Sequence, residues 1–358
     1  MSATSGRRLV RASLLGVVLV VLAATPALAD PPGPTDYEAA VVEIDPPIDG
    51  VTVRVLGGDS FLQLVNDGHS VVVPGYDGAE QYLRFDPDGT VWVNLRSVAH
   101  WQNEDRYANT PVPTDTGPNV PAQWEQVSDD GTWAWHDHRI HWMSPTTLPG
   151  PVDPGLDQPQ EALSWPVAIE VDGAPVVVAG TLTWLPPASP LPTILAGLAL
   201  VVAGVVLARR SRARAVGVVV GCAVAVTAVV GVSLVVGLQP GVTADVFPLA
   251  LTGIAAVLLA VGLVTRDRAW GLLVAGATGI PLLVWAVSQW AAVTAPVVPP
   301  DGLPDVLTRV AVGTALGGGI VALAIGAWDL FTRPLAPGEV DPTATPDAAT
   351  PGNPPTPS

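Results

Sequence analysis

The residues best suited to chemistry lie in one stretch near the middle of the chain, WHDHRIHWM, from Trp135 to Met143. Its nine residues hold three of the five histidines, together with an aspartate, an arginine and two tryptophans. Neutral imidazoles are common ligands of zinc and copper, whereas a buried aspartate, arginine and histidine can also satisfy one another by hydrogen bonds. The stretch therefore predicts either a metal centre or a structural network.

The metal hypothesis depends on strand geometry. Side chains two residues apart on a strand share a face, about 6.6 Å apart along the chain, so His136 and His138 could reach one ion. His100, expected on a neighbouring strand, is a further candidate ligand, and Met143 offers a thioether that suits cuprous copper. His141 would need a bend or bulge to join them. A ligand set without cysteine suits copper or zinc in an oxidising compartment.

The structural hypothesis places the same stretch in the core of its domain. Asp137 and Arg139 point to the opposite strand face and could pair, with His141 completing a hydrogen-bonded network. Trp135 and Trp142 would pack around these polar groups. We favour this network, in which no cofactor is bound, and keep copper or zinc binding as the alternative.

No catalytic signature accompanies the stretch. Gly58-Asp59-Ser60 resembles the nucleophile block of GDS-type esterases. Those enzymes also need an Asp and a His three residues apart in an α/β domain, whereas Asp137 and His141 are four apart. The chain has no G-x-S-x-G, H-E-x-x-H, phosphate-loop or dinucleotide-binding pattern. We therefore expect no catalytic residues and no enzymatic activity.

Composition separates an acidic part of the chain from an apolar part. Charged residues make up 13% of the 358 residues, against about 25% in typical soluble domains. Five apolar runs follow Pro190, each about long enough for a helix to cross ~30 Å of hydrocarbon. The runs cover 192–208, 213–237, 246–264, 269–293 and 307–331. Because only helices satisfy their own backbone in lipid, we expect a bundle of five transmembrane helices over residues 191–333.

The basic residues between these runs predict the orientation in the membrane. Arginines follow the first, third and fifth runs: Arg209, Arg210, Arg212, Arg214, Arg266, Arg268 and Arg333. The other two connections have no basic residue. Arginine on alternate sides is the positive-inside pattern, which predicts a multi-pass plasma-membrane protein with residues 30–190 outside and a cytoplasmic C-terminus.

The two end segments carry their own signals. Three arginines, the apolar run Leu14–Ala24 and the site Ala27-Leu28-Ala29 predict a signal peptide over residues 1–29, cleaved before Asp30. This agrees with the external placement of residues 30–190. Residues 334–358 are rich in Pro and Thr and predict a disordered cytoplasmic tail.

Residues 30–190 read as an all-β domain. Short β-rich runs are separated by turn signals, among them Asp86-Pro87-Asp88-Gly89 and Asp172-Gly173. Six to eight strands at this spacing are typical of an immunoglobulin-like β-sandwich. The segment holds 24 acidic residues and five arginines, which argues against nucleic acid as a partner. Membrane lipid and other envelope proteins are the expected partners, and the sequence does not identify a small-molecule ligand.

A set of motifs in this domain carries a resemblance to a known family. They are Tyr82-Leu83-Arg84-Phe85, the Asp88-Gly89 turn, Asn94, Ser97, Asp105-Arg106-Tyr107, Pro121, Trp124, Trp135-His136-Asp137-His138-Arg139 and His141-Trp142-Met143. Together they resemble a family of actinobacterial envelope proteins that have an external β domain, marked by a DHR-x-HWM block, followed by membrane helices. The resemblance covers roughly residues 40–185. It implies an envelope location and brings no activity with it.

These observations favour a non-enzymatic function. We expect the β domain to act as an interaction, assembly or sensory module of the cell envelope, with metal handling as the alternative.

Overall fold

The structure is a computed structural model that describes residues 30–78 and 80–332, except the side chains of residues 268 and 269. The signal peptide expected over residues 1–29 and the tail expected over residues 334–358 lie outside the described residues.

Ten strands form in the described part of residues 30–190. They are β1 (Tyr37–Asp45), β2 (Val51–Leu56), β3 (Phe61–Asn66), β4 (Val71–Pro74), β5 (Gln81–Phe85), β6 (Val91–Asn94), β7 (Trp124–Ser128), β8 (Thr132–His136), β9 (Gln160–Val171) and β10 (Ala174–Trp184). A short helix, α1 (Val98–Gln102), follows β6. The strands pair in two antiparallel sheets, one ordered β1-β10-β9-β4-β5-β6-β7 and the other β2-β3-β8.

The hydrophobic core lies between these two sheets. Leu62 and Leu64 from the small sheet pack in one cluster with residues of the large sheet such as Leu83, Val167 and Leu182, all of them at most 1% exposed. Their positions alternate with more exposed residues along β9 and β10, as expected for sheets with one buried face. The prediction of an antiparallel β domain is confirmed, and its immunoglobulin-like classification stays a prediction.

The turn signals are found where the sequence indicates them. Asp172 and Gly173 have φ of 51° and 80° in the β9–β10 hairpin, and Gly89, with φ of 90°, closes the β5–β6 hairpin. Positive φ at both central residues is the geometry that two-residue hairpins need. The sequence did not indicate β1, β7 or α1, so the number of strands exceeds the predicted six to eight.

The expected apolar runs are helical and long enough to cross a membrane. The helices are α2 (Leu191–Ala208), α3 (Arg212–Ser233), α4 (Phe247–Val264), α5 (Arg268–Ala277), α6 (Gly279–Ser288) and α7 (Asp305–Phe331). Together, α5 and α6 form the fourth of these candidate spans, and α3 contains a π-helical segment at Val216–Val220. The prediction of five helices that are long and apolar enough to cross a membrane is therefore confirmed.

Small residues let the long helix α7 approach its neighbours closely. A Cβ added to Gly317 would lie 2.5 Å from the carbonyl oxygen of Gly197 in α2, so the two backbones are in direct contact. Gly313 packs in the same way against α2. Gly217 and Gly221 in α3 are also four residues apart but make no such backbone contact, because there the nearest neighbours are leucine side chains at ordinary distances of 3.7 and 4.0 Å.

The β domain is hydrogen-bonded to the two connections that contain no arginine. Thr35 and Val297, in the connection between α6 and α7, exchange main-chain hydrogen bonds of 3.1 and 3.3 Å. Ala134 in β8 donates to the carbonyl of Pro240, between α3 and α4, at 2.9 Å. Both connections therefore lie at the β-domain end of the bundle, and the arginine-containing connections lie at the other end.

Candidate functional site

The WHDHRIHWM stretch begins on β8 and turns away from the sheet after His136. Strand β8 pairs with β3, so that Trp135 lies opposite Leu62 and His136 lies opposite Phe61. The strand ends at His136, and residues 137–141 form a turn. The strand alternation expected for His136 and His138 is therefore wrong, because His138 is no longer on the strand.

The Asp137 carboxylate is fully buried and accepts four hydrogen bonds. Its Oδ1 accepts from the Arg139 main-chain N–H at 3.1 Å and from Arg139 Nε at 2.8 Å. Its Oδ2 accepts from Arg139 Nη2 at 2.6 Å and from Trp135 Nε1 at 2.9 Å. Burial acts to raise the pKa of this carboxyl, but Arg139 and Trp135 hold it below its usual range. The expected pairing of Asp137 with Arg139 is present, and Trp135 takes part in it directly.

The network continues from Arg139 to a neighbouring loop. The Arg139 guanidinium carbon lies 5.3 Å from the centroid of the Tyr76 ring, a cation–π contact. The Tyr76 hydroxyl accepts from the main-chain N–H of His138 at 3.0 Å and donates to Asn103 Oδ1. The turn at 137–139 is thus fixed to the loop that follows α1.

A second buried ion pair lies beside the first. Asp59 is 0% exposed, and its Oδ2 accepts from Arg106 Nη2 at 2.5 Å. Burial raises the pKa of the Asp59 carboxyl, and the Arg106 guanidinium opposes that rise. The sequence placed Asp59 only in an esterase-like motif and Arg106 only in the family resemblance. Nothing in their 47-residue separation indicates that they meet.

Both ring nitrogens of His136 are already occupied by main-chain carbonyls. Nδ1 lies 2.7 Å from the oxygen of Ser60, and Nε2 lies 2.9 Å from the oxygen of Asp30. The ring stacks on Phe61 at a centroid distance of 4.1 Å and is 2% exposed. Burial lowers the pKa of His136, and the two carbonyl contacts act in the opposite direction. A metal ion could bind His136 only if one of these carbonyls moved away.

His138 and His141 lie next to each other without converging on a common point. Their rings meet edge to face at a centroid distance of 5.2 Å. His138 Nε2 is 3.0 Å from the carbonyl oxygen of Asp105. His141 is 2% exposed, and its Nε2 has no hydrogen-bond partner among the described residues. No hydrogen bond in the described chain joins His141 to Asp137 or Arg139, in contrast to the predicted network.

The remaining candidate residues are His100, Met143 and Trp142. His100 is on helix α1, not on a strand as expected, and contacts Trp101 and Glu104. Met143 is 38% exposed. Trp142 donates to the carbonyl of Thr147 at 2.6 Å and packs against the domain core. Within residues 30–78 and 80–332, no group of three or more His, Cys, Asp or Glu side chains is arranged to hold a metal ion.

Comparison with protein-family models, curated proteins and solved structures gave no match. The chemistry of the stretch is therefore inferred from its geometry. Most of its polar atoms are engaged by other groups of the same chain, and these contacts join β3, β8 and the segments at 30, 76 and 103–107. Such an arrangement stabilises a domain.

The first prediction concerns the buried ion pair. Replacing Arg139 by Ala leaves the Asp137 carboxylate buried without its main partner, which costs about 3–5 kcal/mol of unfolding free energy. Arg84 is a matched control, because it pairs with Asp86 at the same two-residue spacing, but both side chains are about 30% exposed. Arg84→Ala should cost about 1–2 kcal/mol, including its stacking on Trp92. Chemical denaturation of the two variants measures the difference, and equal losses would show that burial of Asp137 is not decisive.

The second prediction concerns pH. Burial, followed by the charges of Arg106 and His138, lowers the pKa of His141 to about 3 from 6.5. The unfolded chain therefore takes up this proton first as the pH falls. The stability that neutral His141 contributes is present above about pH 6.5 and is lost as the pH falls toward 3, by about 1.4 kcal/mol per pH unit.

The variant His141→Phe removes this proton and keeps a planar ring at the same place. The slope of unfolding free energy against pH between pH 6 and 4 should therefore decrease by about one proton relative to the wild type. His69→Gln is the control and should leave this slope unchanged, because pairing with Asp172 raises the pKa of the partly buried His69 instead of lowering it. An unchanged slope in His141→Phe would contradict the assigned environment.

Proposed function

We propose that this is a multi-pass plasma-membrane protein whose β domain lies outside the cell and acts as a non-enzymatic interaction, assembly or sensory module of the envelope. The observation that carries the proposal is the docking of the β domain on the two arginine-free connections of the membrane helices. The positive-inside rule places such connections outside, and the domain with them.

The docking makes the β domain and the bundle mechanically continuous. Arg309, near the start of α7 and 8% exposed, donates to the carbonyl of Ala295 at 2.6 Å. Two residues further on, Val297 forms its bridge with Thr35 in the β domain. A partner that binds the β domain more tightly in one placement relative to the bundle than in another would therefore shift the position of α7. A sensory or assembly module requires such a coupling.

Two more specific expectations from the sequence also support the proposal. An immunoglobulin-like sandwich is a common scaffold for binding at cell surfaces, and the resemblance to actinobacterial envelope proteins gives the same location. Copper or zinc handling through His136 and His138 stays the alternative predicted by the sequence, and it requires the carbonyl of Ser60 or Asp30 to leave His136.

Cross-linking tests the docking. In a Cys222→Ser background, Thr35→Cys and Val297→Cys should form a disulfide in the membrane. The pair is hydrogen-bonded and antiparallel, which puts the two Cα atoms about 5.5 Å apart, within disulfide range. Thr35→Cys combined with Asp115→Cys, a position on an exposed loop, is the control and should stay reduced. If the first pair does not cross-link, the docked arrangement is wrong.

Thiol labelling of intact cells tests the sidedness in the same background. A membrane-impermeant maleimide should label Asp115→Cys in the β domain and spare Arg210→Cys in the connection between α2 and α3. The reverse pattern would place the β domain in the cytoplasm and overturn the proposal.

A further inference from the structure

A cleft of about 620 Å³ lies where the β domain meets the membrane bundle. One wall is the segment from Asp30 to Tyr37, and another is the segment from Trp142 to Leu148. The floor includes Thr294 and Ala295, which follow α6. The cleft thus lies beside the end of one of the apolar helices and is lined by both parts of the protein.

The charges of the cleft favour a cation. Asp30 and Asp36 line it, and within residues 30–78 and 80–332 the Asp36 carboxylate has no ion-pair partner. Arg106 also lines the cleft, but its charge is matched by Asp59 behind it. Asp36 is exposed at the surface of the cleft, where partial burial, followed by the charge of Asp59, raises the pKa of its carboxyl. A cation beside Asp36 would oppose this rise.

The net negative charge of the cleft comes from Asp36 and not from Asp30. The Asp30 main-chain N–H donates to the carbonyl of Glu104 at 3.1 Å. Cleavage of the expected signal peptide would turn that group into an ammonium, which offsets the Asp30 carboxylate. The uncompensated negative charge of the cleft is then that of Asp36.

Three aromatic residues line the same cleft. Tyr37 is half-buried, Tyr107 is 38% exposed, and the Trp142 indole is held in place by its bond to the carbonyl of Thr147. Aromatic faces combined with a carboxylate are the groups that recognise substituted ammonium ions, because the ring quadrupole attracts a weakly hydrated cation. Hydroxyl groups of Ser144 and Thr146 complete a polar rim.

We infer that this cleft binds a substituted ammonium group, either on a free small molecule or on the head group of a membrane lipid, with Asp36 as its counter-ion and the aromatic residues as its walls. The inference rests on the proposed function only in requiring the cleft to face the outside. Because Ala295 accepts from Arg309 of α7, a ligand in the cleft also contacts the segment that joins the β domain to the bundle.

The test uses choline as the probe and the full-length protein in a maltoside detergent, which carries no ammonium group. Choline should raise the melting temperature in a saturable manner, since a ligand bound only to the folded state stabilises it by mass action. The neutral isostere 3,3-dimethylbutan-1-ol and sodium chloride at equal concentration should not. Asp36→Asn should weaken the apparent affinity for choline about tenfold, whereas Asp115→Asn, an exposed carboxylate outside the cleft, should leave it unchanged.

A second pair of variants keeps the test decisive if Asp36→Asn unfolds. Tyr107→Leu removes an aromatic wall and should weaken choline binding about threefold to fivefold, while Tyr107→Phe keeps the ring and should bind as the wild type does. Equal responses to choline and its isostere, or equal affinities in all variants, would overturn the inference. If that happens while Thr35→Cys and Val297→Cys still cross-link, the docked arrangement stands and only the inference of ammonium binding is wrong.

Nanodiscs distinguish the two sources of the ammonium group. If the natural ligand is a lipid head group, phosphatidylcholine nanodiscs should raise the melting temperature above that in phosphatidylglycerol nanodiscs, in the wild type but not in Asp36→Asn. Free choline should then add nothing in phosphatidylcholine. If the ligand is a free molecule, choline should act equally in both nanodiscs.

Discussion

The cost of burying two carboxylates governs the part of the β domain that lies next to the helix bundle. Asp59 and Asp137 are both 0% exposed, and an unpaired charge in such a place would cost several kcal/mol. Each must therefore hold an arginine, and each arginine lies on a loop rather than in a strand. The ion pairs thus fix the conformation of the turn after β8 and of the loop after α1.

The loop after α1 in turn holds the N-terminal segment in place by hydrogen bonds. The carbonyl of Glu104 accepts from Asp30, the N–H of Arg106 donates to Asp30 Oδ2, and the carbonyl of Asp30 faces His136. A few residues later, Thr35 joins the connection before α7. One chain of contacts therefore leads from the buried ion pairs through the N-terminal segment to the membrane bundle, and the cleft lies along it.

Much of the fold could be predicted because it depends on local chemistry. Apolar length identifies the helices that could cross a membrane, and Asp172-Gly173 identifies a hairpin through the positive φ it permits. The two strands that were missed, β1 and β7, are the edges of the large sheet. Val42 in β1 is 68% exposed, and no residue of β7 is buried. Neither edge strand therefore shows a clear alternation of apolar and polar residues. Helix α1 is too short for a period, and the Glu80 carboxylate, which accepts from the first N–H groups of α1, lies 18 residues before it.

In the site, too, the local contact could be predicted from the sequence and the contacts with distant segments could not. Asp137 and Arg139 are two residues apart, so their pairing could be read from the sequence. The partners of His136 are main-chain carbonyls at Ser60 and Asp30, and those of His138 and Tyr76 lie on distant loops. Main-chain acceptors leave no mark in a side-chain pattern. A histidine that binds metal and a histidine held by carbonyls are therefore indistinguishable in sequence.

The most direct test of this account is a titration of the full-length protein with Zn²⁺, Cu²⁺ and Cu⁺, followed by its melting temperature. Because the imidazole nitrogens of His136 face carbonyls at 2.7 and 2.9 Å, the account predicts that no ion raises the melting temperature. A bound ion at a hundredfold excess over its dissociation constant would stabilise the fold by about 2.7 kcal/mol. A rise of that kind, abolished by His136→Ala with His138→Ala and retained in His69→Ala, would contradict the structural network and establish a metal site.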